Sequence, residues 1–248
     1  MIRHGILDYK RIVAAAPSSL MDVSAYWNFD ETTGSFYDEI ASLEGVPTSI
    51  VHQSGGRINY CAKYDATTDV IMVTSNSQIM MNGGTTYSVS MWVYLDVLPQ
   101  TAGRNYYLCR LFDLTNTSAA FFIYMGSDGN YVGASFYNTA KTQYYVENNN
   151  AWSTGTWRHI VVVNQGDVQA IQIYINGVNN ISYKSPADGL FRGTMMPGDL
   201  NMRIGNITAT GTSAVDGRID EMGIWHRALT SDEVAELYNA GSGKAYPF

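Results

Sequence analysis

The sequence predicts an all-β fold of two packed antiparallel layers, and three observations carry that prediction. From Ser24 onward, short apolar segments alternate with turns rich in Gly, Asn and Asp, the pattern of a sandwich or barrel. The clearest of these segments alternate with period two, as a pleated strand requires. Only one segment, near the C-terminus, carries a helix signature, and no fixed-period repeat or second linker interrupts the pattern.

The elements follow in order. Residues 1–23 carry charge, a small apolar patch and Pro17-Ser18-Ser19, without a sustained period. They read as an arm or linker that docks on a partner, or as a disordered leader, with the domain proper over 24–248. Trp27 and Phe29 alternate with Asn28 on a first strand. In Ser88–Leu95, Val89, Met91 and Val93 point one way, and Ser88, Ser90, Trp92 and Tyr94 the other. Segments 119–125 and 131–137 flank Gly126-Ser127-Asp128-Gly129-Asn130, a hairpin loop. The stretch Asn138–Gly155 is open between a binding loop and extra strands. Trp157–Asn164 contains the continuous run Ile160–Val163, consistent with a strand covered on both faces. Ile171, Ile173 and Ile175 repeat the alternation within 169–176, and Asn176-Gly177 is a hairpin turn. Thr230-Ser231-Asp232-Glu233 forms a capping box. Val234, Leu237 and Tyr238 then share a helix face, and Gly241 ends the helix.

Composition bounds the function. The chain has 248 residues, 46% of them apolar, enough to bury a sizeable core and exclude disorder. Lys and Arg number 15 against 22 Asp and Glu, a net charge of −7, and the basic residues are scattered. A nucleic-acid partner is therefore not expected, because phosphate binding needs clustered cations. No apolar run approaches about 18 residues, so no membrane span is expected. Asp8, Lys10 and Arg11 break up any signal-peptide core, and synthesis in the cytoplasm without export is the expectation. Cys61 and Cys109 read as two free core thiols or a single inter-strand bridge. His4, His52, His159 and His226 show no zinc spacing, and His159 is expected to satisfy a structural hydrogen bond.

Five motifs in order resemble the laminin-G-like, concanavalin A-like jelly-roll domains. They are Tyr26-Trp27-Asn28-Phe29-Asp30-Glu31 with Gly34 and Asp38, then Ser88-Val89-Ser90-Met91-Trp92-Val93, and Trp157-Arg158-His159-Ile160-Val161. After these come Ile173-Tyr174-Ile175-Asn176-Gly177 and the closing block from Ile204 through Gly217-Arg218-Ile219-Asp220-Glu221 to Leu237-Tyr238. The resemblance spans about Ser24 to Ala240. It implies a concanavalin A-like jelly-roll sandwich of two antiparallel sheets, one of them curved and concave, with one short C-terminal helix. The opening strand is expected to meet the Ile-Asp-Glu strand.

The resemblance also implies a structural calcium held by Asp30, Asp38 and Asp220. The alternative is that Asp30 and Asp220 pair with Arg218 or Arg227, or cap turns. Related glycoside hydrolases carry Glu-x-Asp-x-x-Glu on one strand, and that motif is absent. Asp216, Asp220 and Glu221 cluster in sequence, but on a regular strand the adjacent Asp220 and Glu221 would point to opposite faces. The chain is therefore expected not to be an enzyme. Eighteen tyrosines and five tryptophans favour a carbohydrate-binding surface, since their flat apolar faces with a polar edge suit sugar rings. Trp92, Tyr94, Tyr144 and Tyr145 are the first ligand-binding candidates, and Tyr106, Tyr107 and Tyr131 are further ones. The competing expectation is that these aromatics fill the convex side or a subunit interface.

Domains of this type also occur in virion proteins of tailed bacteriophages. With its leading arm, low charge and aromatic surface, the chain is expected to be a non-enzymatic structural or adhesion module of a virus particle: tail, fibre or capsid decoration. The expected partners are other virion proteins through residues 1–23, cell-surface glycan and further copies of the chain. The alternatives are a free lectin-like domain and a degenerate glycoside hydrolase.

Overall fold

The computed structural model describes residues 19–74, 76–79, 86–113, 119–129, 131–138, 140–148, 152–165, 171–181, 183–185, 200–208 and 211–248. The strands run β1 (Ala25–Trp27), β2 (Phe36–Tyr37), β3 (Glu44–Thr48), β4 (Val51–Ser54), β5 (Tyr60–Tyr64), β6 (Val70–Val73), β7 (Tyr87–Leu95), β8 (Tyr106–Asp113) and β9 (Ala119–Met125). They continue with β10 (Val132–Tyr137), β11 (Gln143–Asn148), β12 (Trp157–Asn164), β13 (Ile171–Ile175), β14 (Val178–Asn179), β15 (Tyr183–Ser185), β16 (Leu200–Ile204) and β17 (Gly217–Trp225). Two helices, α1 (Pro99–Ala102) and α2 (Ser231–Tyr238), complete the described elements with two short 3-10 turns.

Among the described residues the strands form two antiparallel sheets. The eight-stranded sheet has the order β14-β13-β12-β7-β17-β5-β4, with β1 added beside β17. The nine-stranded sheet has the order β15-β11-β10-β9-β8-β16-β6-β3-β2. The fold is the concanavalin A-like jelly roll expected from the sequence. The clasp is present as well, since Ala25 pairs with Ile224 and Trp27 with Met222.

Alternation decides where the core sits. Val89, Met91 and Val93 of β7, Phe121, Ile123 and Met125 of β9, and Ile160 and Val162 of β12 meet between the sheets. The other face of the eight-stranded sheet is also covered. Val161, Val163, Tyr174 and Trp225 pack there against Val234 and Leu237 of α2 and against Leu20. This explains the unbroken apolar run in β12, which needs apolar groups on both sides.

Four local features differ from simple expectation. Residues 19–23 belong to the packed domain: Leu20 is fully buried, and Trp225 Nε1 donates to its carbonyl at 3.1 Å. The rest of the expected arm, 1–18, lies outside the described residues. Strand β1 stops at Trp27 because Phe29 takes a positive φ of 55°, although its ring still enters the core. Helix α2 stops at Tyr238, where Asn239 adopts the left-handed cap at φ 46°; Gly241 lies beyond it. Asn is the common alternative to Gly at that position. Finally, β17 is bulged between Asp220 and Gly223, with Glu221 at φ 51°. Asp220 and Glu221 therefore do not alternate as on a regular strand, and both are buried. Cys61 and Cys109 are free, buried thiols in opposite sheets.

Candidate functional site

The outer face of the nine-stranded sheet carries a third apolar cluster, separate from the core. Phe121, Ile123 and Met125 of β9 point inward, so Phe122 and Tyr124 must point outward. They pack with Tyr107 of β8, Tyr137 of β10 and Tyr131 of the turn before β10. Ring centroids lie 5.3 Å apart for Tyr107 and Phe122, 5.5 Å for Phe122 and Tyr124, and 6.0 Å for Tyr124 and Tyr131. These are ordinary aromatic pair separations.

The cluster lines a cavity of about 410 Å³, completed by Asn105 and by Gln143, Tyr145 and Glu147 from β11. The register explains this convergence. Glu147 stands opposite Gly133, which stands opposite Tyr124, and Tyr124 stands opposite Tyr107. Gly133 is required there, because a Cβ would meet the Tyr124 ring at 2.4 Å. Its absence lets that ring lie flat across β10.

The polar groups are oriented. Tyr124 donates its hydroxyl to Glu147 Oε1 at 2.8 Å. Burial, then the hydrogen bond to Glu147 and its charge, push the Tyr124 phenol far up, and burial and Glu147 do the same to Tyr131. Both phenols therefore remain donors at any physiological pH. Gln143 Nε2 donates to Ser135 Oγ at 2.9 Å, and Asn105 Oδ1 accepts from the Ser127 amide at 2.8 Å. The arrangement combines flat apolar faces with side chains that can donate and accept around them. Among the described residues its lining holds one carboxylate, Glu147.

The four ligand-binding candidates are placed differently. Tyr145 lines this groove. Tyr144 does not, because it stands opposite the core residue Phe136 on the inner side of the sheet. Trp92 and Tyr94 lie on the other sheet, where α2 docks. The Trp92 ring is 2% exposed, stacked on Tyr238 at 5.8 Å, beside His159 at 5.0 Å and under the Arg57 guanidinium at 5.1 Å. It is covered and offers no free face. Tyr94 is half-buried beneath Arg218 at 4.5 Å. Of the further candidates, Tyr107 and Tyr131 line the groove, whereas Tyr106 is in the core. Sequence reasoning missed Phe122, Tyr124, Tyr137 and Glu147. His159 is structural, as expected: it is buried, with Nε2 2.8 Å from Ser90 Oγ, and burial lowers its pKa to about 3.

The three carboxylates expected to hold calcium do not fit it as a set. Asp38 accepts four backbone amides, from Tyr26 at 2.9 Å, Ile40 at 3.0 Å, Ala41 at 2.8 Å and Leu43 at 3.3 Å. Those fill the lone-pair sites of both oxygens. Asp30 accepts from the Tyr60 amide and Asn59 Nδ2, both at 2.9 Å. Asp220 accepts from the amides of Ile58 at 3.0 Å and Glu221 at 2.9 Å. These carboxylates fasten loops. They do not pair with Arg218, which meets Asp96, or with Arg227, which meets Asp22 and Glu233. Among the described residues no three His, Cys, Asp or Glu side chains form a cation cage.

A second cavity, of about 550 Å³, lies between Thr32–Ser35 and Val46–His52. His52 is the one aromatic residue of its described lining, and that ring is engaged: its nitrogens lie 2.5 and 3.1 Å from the carbonyl oxygens of Glu31 and Gly34, and it stacks on Phe36.

Comparison with known proteins gives a consistent fold. The binding domain of Paraclostridial Mosquitocidal Protein 1 superposes with a TM-score of 0.67 at 17% identity, covering 88% of this chain and 52% of that one. The receptor-binding domain of botulinum neurotoxin D gives 0.66 at 14% identity, covering 89% and 54%. The chain thus spans about half the length of these toxin domains. Domain 4 of AbnA, an extracellular arabinanase of family GH43 from Geobacillus stearothermophilus, solved in complex with arabinotriose, gives 0.64 at 20% identity, covering 86% and 97%. At these identities the likeness is one of fold. No curated protein sequence matches the chain. Residues 65–235 match the model of the Laminin_G_3 family, described as the concanavalin A-like lectin/glucanases superfamily. With more than half its length matched in this way, the chain belongs to that superfamily.

Proposed function

We propose that this domain is a non-catalytic glycan-binding module, with the aromatic groove on the outer face of the nine-stranded sheet as its binding surface. The carrying observation is the cluster of Tyr107, Phe122, Tyr124, Tyr131, Tyr137 and Tyr145 around Glu147. Sugar rings stack their C–H faces on such rings and spend their hydroxyls on the surrounding polar groups. Glycoside hydrolysis by the usual route needs a pair of carboxylates across the bond, and the described groove lining supplies one. The likeness to an arabinanase domain solved with arabinotriose supports the same reading.

Tyr107→Ala and Tyr145→Ala should each weaken glycan binding about 10-fold, the loss of one stacking face, with the melting temperature little changed. A glycan array followed by calorimetry on the variants measures this. A glycan signal that survives both substitutions would place binding elsewhere, and no signal at all would remove the proposal.

The setting we propose is a virus particle, with the module attached through the segment before Ser19. Composition and the family resemblance support it. The test truncation has to stop at residue 18, because Ser19 and Leu20 are tied to Arg227 and Trp225. Removing 1–18 should abolish incorporation into particles while leaving thermal stability unchanged. Normal incorporation of the truncated chain would refute the attachment.

A further inference from the structure

Cross-strand pairing carries the groove beyond its aromatic floor. Tyr145 stands opposite Ser135, Ser135 opposite Phe122, Phe122 opposite Arg110, and Arg110 opposite Arg203. Directly opposed residues share a face of the sheet. Two guanidinium groups therefore stand side by side where the aromatic surface ends. Tyr107 and Tyr137, both in the groove lining, lie close enough to Arg110 to act on its charge. The arginines adjoin the groove.

Their surroundings are unusual for two like charges. Arg110 is 8% exposed and Arg203 is half-buried. The Nη1 atoms of both donate to one carbonyl, that of Ile207, at 2.6 and 2.8 Å. Both guanidinium groups lie over the Phe112 ring, at 5.1 and 4.1 Å. Arg203 Nε is buried without a hydrogen-bond partner among the described residues. Burial lowers the pKa of both groups, and the charge of Arg203 lowers that of Arg110 further. Holding a partly desolvated cation with a buried, unsatisfied Nε beside a second cation costs free energy, and an anion placed against Arg203 relieves part of that cost.

We infer that Arg110 and Arg203 form a subsite for an acidic sugar unit, a carboxylate or sulfate group on a glycan whose neighbouring ring rests on Tyr107 and Phe122. This rests on the glycan-binding reading of the groove and adds the charge of one unit of the ligand. A guanidinium presents a planar fork of N–H donors that matches such anions. The chain as a whole carries −7, so long-range attraction does not favour anions. Selectivity has to arise at short range from these two side chains.

The test uses matched pairs of oligosaccharides: uronate oligomers with their carboxyl-reduced counterparts, and sulfated oligomers with their desulfated counterparts. At least one acidic member should bind about 10-fold more tightly than its neutral partner, and the preference should shrink as salt rises. The pair that shows the preference identifies the anion. Arg203→Gln should erase the preference while leaving neutral binding and the melting temperature in place. Arg203→Lys should retain part of it, since the charge stays and the fork is lost. Equal binding of every acidic and neutral pair would overturn this subsite and leave the groove reading standing. A preference that Arg203→Gln does not reduce would also overturn it. If no oligosaccharide of any charge bound, the groove reading would fall and take the subsite with it.

Discussion

Glu221→Gln will raise the melting temperature at about pH 9 by roughly 6–12 °C, a stabilisation of roughly 3 kcal/mol, and will remove most of the alkaline fall in stability. Glu221 sits at the bulge of β17, 3% exposed. One of its oxygens accepts from the Tyr26 hydroxyl, and the other, Oε1, is buried without a partner among the described residues. Tyr26 in turn lies under Tyr246 and Phe248, so the C-terminal segment keeps water away. Burial pushes the Glu221 carboxyl up to about 8; the Tyr26 hydrogen bond opposes this, and the charges of Asp30 and Glu39 add to it. Asp220, beside it, is raised by burial and by the charge of Glu221. The unfolded carboxyl titrates near 4.5, so the folded state holds a proton that the unfolded state has already released. Stability from this group is whole below 4.5 and drains as pH rises to about 8, by up to about 1.4 kcal/mol per pH unit. A divalent cation between Asp220 and Glu221 would reverse the sign, because it would hold both carboxylates ionised. Thermal melts across that pH range, with chelator and with added calcium, separate the two cases. A wild-type curve that is flat from pH 5 to about 9 would refute the buried protonated carboxyl.

Several parts of the molecule could be read locally, and the groove could not. The β7 alternation separates Val89, Met91 and Val93 from Trp92 and Tyr94 without any tertiary information, because side-chain direction on a strand follows from position. The capping box and the closing motif are equally local. Alternation does not say which outward face is later covered. By periodicity Trp92 and Phe122 look alike. The docking of α2 on the eight-stranded sheet buries the first and leaves the second beside a cavity. One signal was available, since Ala119–Met125 is apolar at every position, and a strand with aromatic groups on both faces announces a second apolar surface. Glu147 lay within the stretch left open between a loop and strands, and only its pairing with β10 sets it against Tyr124. The bulge at Glu221 had no sequence signal either. A non-glycine residue at positive φ is uncommon and is held there by its surroundings.

Glu233→Ala should cost about 3 kcal/mol and lower the melting temperature by roughly 6–12 °C at neutral pH. Three connections end on this one carboxylate. It closes the capping box, accepting the Thr230 amide at 2.8 Å while its own amide donates to Thr230 Oγ1 at 3.3 Å. Arg227 grips both of its oxygens, at 2.8 and 2.7 Å. Ser19 donates its hydroxyl to Oε1. Arg227 also meets Asp22 at 2.6 Å and the Ser19 carbonyl at 2.9 Å. The Arg-x-Leu-Thr-x-x-Glu spacing of the closing motif is therefore a clasp that ties α2 to residues 19–22 on the outer face of the eight-stranded sheet. Loosening it should raise hydrogen exchange in both segments while β7 and β12 stay protected. Glu233→Gln, which can still accept from Thr230, should recover about 1 kcal/mol of the loss. The pH dependence has the opposite sign to that of Glu221. Burial would raise the Glu233 carboxyl, but the hydrogen bonds from Arg227, Ser19 and Thr230 bring it down to about 2. Its contribution is present above the unfolded value of 4.5 and drains as pH falls toward 2. Wild-type stability should thus fall on both sides, with Glu233 supplying the acid limb and Glu221 the alkaline one. Glu233→Ala should flatten the acid limb alone. A variant that kept the full acid limb, or that melted within about 2 °C of wild type, would show that the clasp contributes little.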